Sequence, residues 1–318
     1  MKLYCFLENR NWRSNSIWRS IHDFLNAQED LKVKCILTTK YEDIGVRKKL
    51  ISRFMDDILS FTPDCLLLFD HFTLVSTEQL AQFKEKGIII VSFGIADPNL
   101  FDEARVAFSD CYYTMNLLTY KIYRKKHPQM RYLHSFCDPK LFKRLPVDKE
   151  YYVAFFGSGK HPVLHDHRIQ TAKRIREAEI ALKIFGKHWN LDEHSDNHPF
   201  VTAEYPELLN KTRISVDLTD SCISLGRRLY ESALCSVPSL TLDREDVREL
   251  FEEGSEILLY RDTEDLIRKL KFFSKPLRFP ILHQIGENAR QRALENYTLN
   301  QWMQIIFKRV NELKKEKR

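Results

Sequence analysis

Arg227, Arg228 and Glu231 follow directly on Gly226, at the head of the stretch RRLYESALCSVPSLTLD that runs to Asp243. The spacing predicts an amphipathic helix and then, past Pro238, a short buried strand. Leu229, Ala233 and Leu234 are placed to face a core, and Arg227, Arg228 and Glu231 to face solvent or a cleft at the helix start. There, backbone N–H groups and guanidinium forks can converge on one anion, and a diphosphate suits that chemistry. Glu231, three residues after Arg228, is placed to accept hydrogen bonds from a sugar diol. Arg-x-x-Glu is also the spacing of an ordinary surface ion pair, and the residues alone leave both readings open.

Four other groups of residues carry candidate chemistry. In YYVAFFGSGKHP the turn of Gly157, Ser158 and Gly159 lets backbone approach a phosphate or sugar, and Lys160 and Arg168 can add charge. The GSGK run lacks the full phosphate-loop spacing, so it is a weak signal alone. The apolar run LLLF ends on Asp70 and His71, and IIIVSFGIADP reaches Asp97; His71 and Asp97 are the acid–base candidates, with helix capping as the plain alternative. Asn9, Asn11 and Arg13 supply donors after the first strand, on what would be the acceptor side. His188, Asp192, Glu193, His194, Asp196 and His198 are dense in metal-ligand types, but NLDEHSDNHP reads as loop rather than helix. With no Asp-x-Asp motif to hold a divalent ion on a diphosphate, the expectation is metal-independent chemistry without a cofactor.

Positioning such groups requires strands that end at them. Apolar runs at Lys2–Leu7, Val33–Leu37, Cys65–Phe69 and Ile88–Ser92 alternate with helical patterns at Ser16–Ala27, near Asp43–Ser60 and at Thr77–Lys86. That alternation predicts a parallel sheet with right-handed crossovers. After LFKRLPVDKEYY the alternation restarts at Tyr152, which places a linker near Lys143–Lys149. The expected organisation is one Rossmann-like domain over residues 1–145 and a second over 146–318, the halves to which the resemblance described below gives the acceptor side and the nucleotide-sugar side respectively. The C-terminal helix Leu299–Lys315 is free to pack back on the first domain.

From Arg227 through LFEEGSEILLYRDTEDLIRKL and IGENARQRALENYTLNQWMQIIF, the chain resembles the C-terminal half of the CgeB-like (spore-maturation-protein-like) group 1 glycosyltransferases. The order Arg-x-x-Glu-Ser, small-residue turn, hydrophobic strand, acidic Asp-x-x-Glu-Leu-Phe and closing Ala-Arg-x-Arg helix matches over roughly the last hundred residues. RYLHSFCDPKLF is similar to the family's crossing segment, keeping Asp138-Pro139 and Phe142 but with His134 where proline is usual. The resemblance implies a GT-B-like architecture of two Rossmann-like α/β domains facing across a cleft, with donor nucleotide on the second. It also implies a part of the base pocket at the Gly-Lys turn of ALKIFGKHW and retention of configuration. The wider family 4 enzymes carry two glutamates around a glycine; Gly226 and Glu231 match, but Ile223 stands at the first glutamate position. The implied activity is transfer of a hexosyl-type sugar from a nucleotide-diphosphate donor to an unidentified acceptor. A catalytically silent binding paralogue and a DNA-modifying, nucleic-acid-associated protein are the alternatives.

Composition agrees with an ordinary globular chain. The 318 residues suit two domains. The opening LYCFL run is too short for a secretory signal, and no apolar stretch nears the ~20 residues of a membrane span. Seven cysteines occur singly, which suits a reducing cytosol and a cytoplasmic location. The formal charge is +6, with basic residues gathered at Arg47–Lys49, Lys121–Lys126 and the tail from Lys314. Without interleaved aromatics these clusters make nucleic acid a secondary reading.

Overall fold

Short apolar runs too continuous for one-sided burial become the strands of two parallel sheets. The computed structural model describes residues 1–8, 17–38, 54–69, 75–94, 101–159, 165–189, 191, 204–219 and 225–317. They form two units: Met1–His134 with Leu299–Arg318, and Ser135–Ser221 with Leu225–Thr298. Lys143–Lys149 thus lies inside the second unit.

The first sheet runs β2-β1-β3-β4-β5-β6, with β1 Lys2–Glu8, β2 Lys32–Thr38, β3 Cys65–Leu68, β4 Ile89–Gly94, β5 Cys111–Thr114 and β6 Met130–Tyr132. Every pairing is parallel, and Cys5 stands opposite Cys35 and Leu67. Returning helices begin where a side chain satisfies free N–H groups: Ser76 and Gln79 form a capping box before Thr77–Glu85, and Asp102 and Asn116 cap Glu103–Phe108 and Leu117–Tyr123. Tyr4, Phe6, Leu66, Leu68, Phe83 and Ile90 form the core on one face. Elsewhere in the unit Phe69 and Phe93 stack at 4.2 Å, and Trp302 of the C-terminal helix Leu299–Glu316 lies 5.4 Å from Phe93. The Trp302 indole donates to the His134 carbonyl at 3.0 Å. That aromatic layer fastens the last helix to the first unit.

The second sheet runs β11-β10-β9-β7-β8, again all parallel, with β7 Tyr151–Phe156, β8 Leu182–Phe185, β9 Thr212–Val216, β10 Ser239–Leu242 and β11 Leu258–Tyr260. Alternate β7 residues serve opposite faces. Val153 and Phe155 join one core with Ile214, Val216 and Leu240, while Ala154 and Phe156 join another with Leu229, Tyr230 and Ala233. Apolar cores therefore cover the sheet on both sides.

The helix from Arg228 differs from its expected amphipathic form. It spans Arg228–Leu234, and Leu229 through Leu234 are all buried, Glu231 included. It packs against the Phe279–Asn296 helix, where a Cβ on Gly286 would stand 2.3 Å from the Ser236 carbonyl oxygen. A neighbour so close leaves no outward polar face beyond the first turn.

Candidate functional site

In the second sheet β7 is flanked by β8 on one side and by β9 on the other, so strand order reverses about it. Doubly wound sheets bind ligands at the carboxyl ends of strands at such a reversal. The residues found there are charged, buried and mutually braced.

The turn after β7 is locked to the turn after β8. Gly157 N–H donates to the Phe185 carbonyl at 2.8 Å, Gly159 N–H to the Lys187 carbonyl at 2.9 Å, and the Trp189 indole to the Gly157 carbonyl at 2.9 Å. A Cβ on Gly186 would stand 1.8 Å from the Gly157 carbonyl oxygen, so the approach demands a bare backbone. Gly157 itself has a φ of +153°, and its own Cβ would lie 3.0 Å from Arg228 Nη1. His188, in the facing turn, holds a left-handed φ of 64°.

Two arginines meet over this turn from different elements. Arg168, on the His165–Glu177 helix, is 5% exposed and donates through Nη1 to the Ser158 carbonyl and through Nε to the Leu218 carbonyl, both at 3.0 Å. Arg228 reaches Asp217, just past β9, with Nη2 at 2.7 Å and Nε at 3.1 Å from one carboxylate oxygen. The two guanidinium carbons lie 5.4 and 5.1 Å from the Phe155 ring centroid. Burial first, then the Arg228 charge, lowers Arg168 to about 10 against the pull of Asp217. Burial also opposes the Arg228 charge, but Asp217 more than offsets it and the net shift is upward. Both arginines are charged at neutral pH, and an arriving anion would relieve their repulsion.

Glu231 is 4% exposed. Its Oε2 accepts from the Tyr205 hydroxyl at 2.8 Å, and Oε1 lies 3.7 Å from Arg227 Nη1. Burial, and then the Glu231 charge, push the Tyr205 phenol well above its usual range. Arg228 is therefore paired across the sheet edge with Asp217, and Glu231 with Arg227 and Tyr205. An ionised carboxylate has further lone pairs, so Oε1 keeps acceptor capacity.

Of the residues expected from sequence, Gly157, Ser158, Gly159, Arg168 and Arg228 are brought together at this edge, and Gly226 stands beside Arg228, 3.5 Å from its Nη2 at the Cβ position. Arg227, whose side chain is 41% exposed, and Glu231 adjoin them. Lys160 lies outside the described residues, as do Asn9, Asn11, Arg13, His71 and Asp97 and the stretch 192–203. Asp217, Phe155, Trp189 and Tyr205 were not foreseen. Asp217 had a faint signal, as the acid ending the run Arg-Ile-Ser-Val. A cavity lined by Arg144, Lys149, Asn210, Cys235 and Glu287 opens elsewhere in the same unit, beside the start of β9. It shares none of these groups.

Residues 167–308 match a family model described as glycosyl transferase-like. The match takes in Arg168, Asp217 and the Arg227–Glu231 segment. No curated protein matches the chain. Among solved structures, sucrose-phosphate synthase from Thermosynechococcus elongatus is 11% identical over 98% of this chain and 99% of its own, with a TM-score of 0.72. Anabaena HepE in complex with UDP and glucose is 12% identical, covering 98% and 100%, at 0.69. UDP-GlcNAc 2-epimerase from Neisseria meningitidis bound to UDP-GlcNAc is also 12% identical, covering 98% and 100%, at 0.61. At such identities the likeness establishes the fold, two Rossmann-like units of GT-B type with C-terminal helices.

Proposed function

We propose that the protein is a glycosyltransferase that binds a nucleotide-diphosphate sugar in its second unit and transfers the sugar to an acceptor. The observation that carries this is the paired guanidinium site of Arg168 and Arg228 over the Gly157–Gly159 turn, inside the glycosyl transferase-like match. Two fixed cations beside a glycine turn suit a diphosphate, and they stabilise the charge that grows on it as the glycosidic bond breaks. Arg228 is assigned to the diphosphate and Glu231, through Oε1, to the ribose hydroxyls. Anabaena HepE with UDP and glucose, sharing the fold, supports a uridine donor.

The finer reading follows the sequence. We assign the chain to the CgeB-like group, with a hexosyl donor, retention of configuration and no divalent metal or cofactor. His71 and Asp97 take the acid–base and acceptor-activating roles, and Asn9, Asn11 and Arg13 bind the acceptor. His71 and the Asn9–Arg13 segment follow β3 and β1, the strands at which the order of the first sheet reverses. The proposed location is the cytoplasm.

A second reading has its own support. The Neisseria epimerase shares the fold over 98% of this chain, so epimerisation of a UDP-sugar without an acceptor is the competing activity. Incubation with a panel of UDP- and GDP-sugars, with and without EDTA and an acceptor extract, separates the two. A transferase releases nucleoside diphosphate and labels the acceptor at equal rates with and without EDTA. An altered sugar with no labelled acceptor identifies an epimerase. Stabilisation by donor without either reaction identifies a silent binder. A ligand at a hundred times its Kd adds about 2.7 kcal/mol of stability, enough to read in a thermal shift.

A further inference from the structure

Leu277 is 90% exposed, in the single turn Pro276–Arg278 that joins the helices Thr263–Phe273 and Phe279–Asn296. Phe272, at 43%, and Ile281, at 41%, flank it. The Arg278 guanidinium carbon sits 4.4 Å from the Phe272 ring centroid, which ties the end of one helix to the turn. From Leu266 to Gly286 there is no acidic residue, while Arg268, Lys269, Lys271, Lys275 and Arg278 are basic. Asp265 holds Arg268 and Lys269 back toward the helix start. Lys271 and Lys275 are exposed beside the apolar tip.

A single exposed leucine needs no explanation. Three large apolar side chains on a segment that carries basic residues and no acidic one are a different composition. We propose that this corner docks on an anionic phospholipid bilayer, with Leu277 entering the headgroup–acyl boundary and Lys271, Lys275 and Arg278 facing the lipid phosphates. A nucleic acid would satisfy the cations but leave the leucine in water, whereas a lipid surface takes both. No helix among the described residues is long and apolar enough to cross a membrane, so the attachment is peripheral. One inserted side chain and three cations are each weak signals that combine. Near an anionic leaflet each basic residue adds about a fivefold gain in binding, and burying a leucine side chain adds about tenfold.

Flotation of the full chain with vesicles of phosphatidylcholine, alone or mixed with phosphatidylglycerol, tests this. The parent should float with the mixed vesicles and far less with phosphatidylcholine alone, and added salt should weaken the binding. Leu277→Ser should reduce binding about tenfold, and Lys271→Glu with Lys275→Glu should reduce it further. Melting temperatures should stay unchanged, since these side chains stand in solvent. Leu277→Trp should still bind, and its added fluorescence should shift to the blue only with the mixed vesicles. Equal flotation with both vesicle types, or full binding by Leu277→Ser, overturns the proposal. So does retention on duplex DNA that the charge reversal abolishes, with no vesicle binding; that result gives the surface to nucleic acid.

Discussion

Arg228 and Glu231 lie three residues apart, yet they are held by different partners. Asp217 holds the arginine, and Tyr205 with Arg227 holds the glutamate. The sequence made Arg168, Arg228 and the Gly157–Gly159 turn legible, because charge beside small residues at a strand end is a local pattern. Their partners were not legible, because they arrive from far along the chain: Arg168 bonds Leu218, 50 residues away, and Tyr205 reaches Glu231 over 26. The burial of Glu231 belongs to the same class, since it depends on a helix that the local spacing does not mention. Tyr205→Phe removes the phenol from a buried carboxylate and should cost about 1.5–3 kcal/mol of the second unit's stability, measured by denaturant unfolding. If Glu231 also serves a ribose, Glu231→Gln should weaken nucleoside and nucleotide binding alike and cost less than Glu231→Ala. A Tyr205→Phe variant as stable as the parent would show that the buried hydrogen bond is not made.

At the scale of elements, the long strands were readable, as were the four-residue β3 and β10, while the three-residue ones were not. β1, β2, β4 and β7 carry six or seven residues of β-branched and aromatic character, enough for periodicity to speak. β6 and β11 have three residues each, and they are strands because a neighbouring strand pairs with them. The helix after Gly226 was found but misjudged, since Glu231 at a helical interval looked like an outward face. The two turns that build the site interlock through backbone, which yields a sharp test. Gly186→Ala drives a Cβ into the Gly157 carbonyl and should destabilise the unit by about 1–3 kcal/mol while displacing the turn and weakening nucleotide binding. Gly226→Ala meets nothing nearer than Arg228 Nη2 at 3.5 Å and should leave stability unchanged. Thermal melts of both variants decide it; equal losses would mean that the turns are not in contact.

For the whole molecule, parallel α/β alternation in two halves was visible from the strand spacing, and the capture of the last helix by the first unit follows from Trp302 and its aromatic neighbours. That helix is also tied down by charge. Burial works against ionised Asp64, but the Lys2 amide at 2.8 Å and Lys314 at 2.9 Å more than offset it, so the carboxyl sits below its usual 3.8. Such a group stabilises the fold above its unfolded pKa and loses that contribution as pH falls through the folded one. The parent should therefore lose stability as pH drops below about 4, and Asp64→Asn should show a shallower acid slope in unfolding measured from neutral to acid pH. Identical slopes would remove Asp64 from the account. Calorimetric titration of the full chain with uridine, UMP and UDP reads whether the second unit holds a donor diphosphate through Arg228. UDP should bind the parent more tightly than UMP, and Arg228→Ala, still folded, should lose that gain, weakening UDP about ten- to a hundredfold while uridine is little changed; Arg228→Lys should restore part of it. A folded Arg228→Ala that keeps the parent's full preference for UDP over UMP would contradict that role of Arg228.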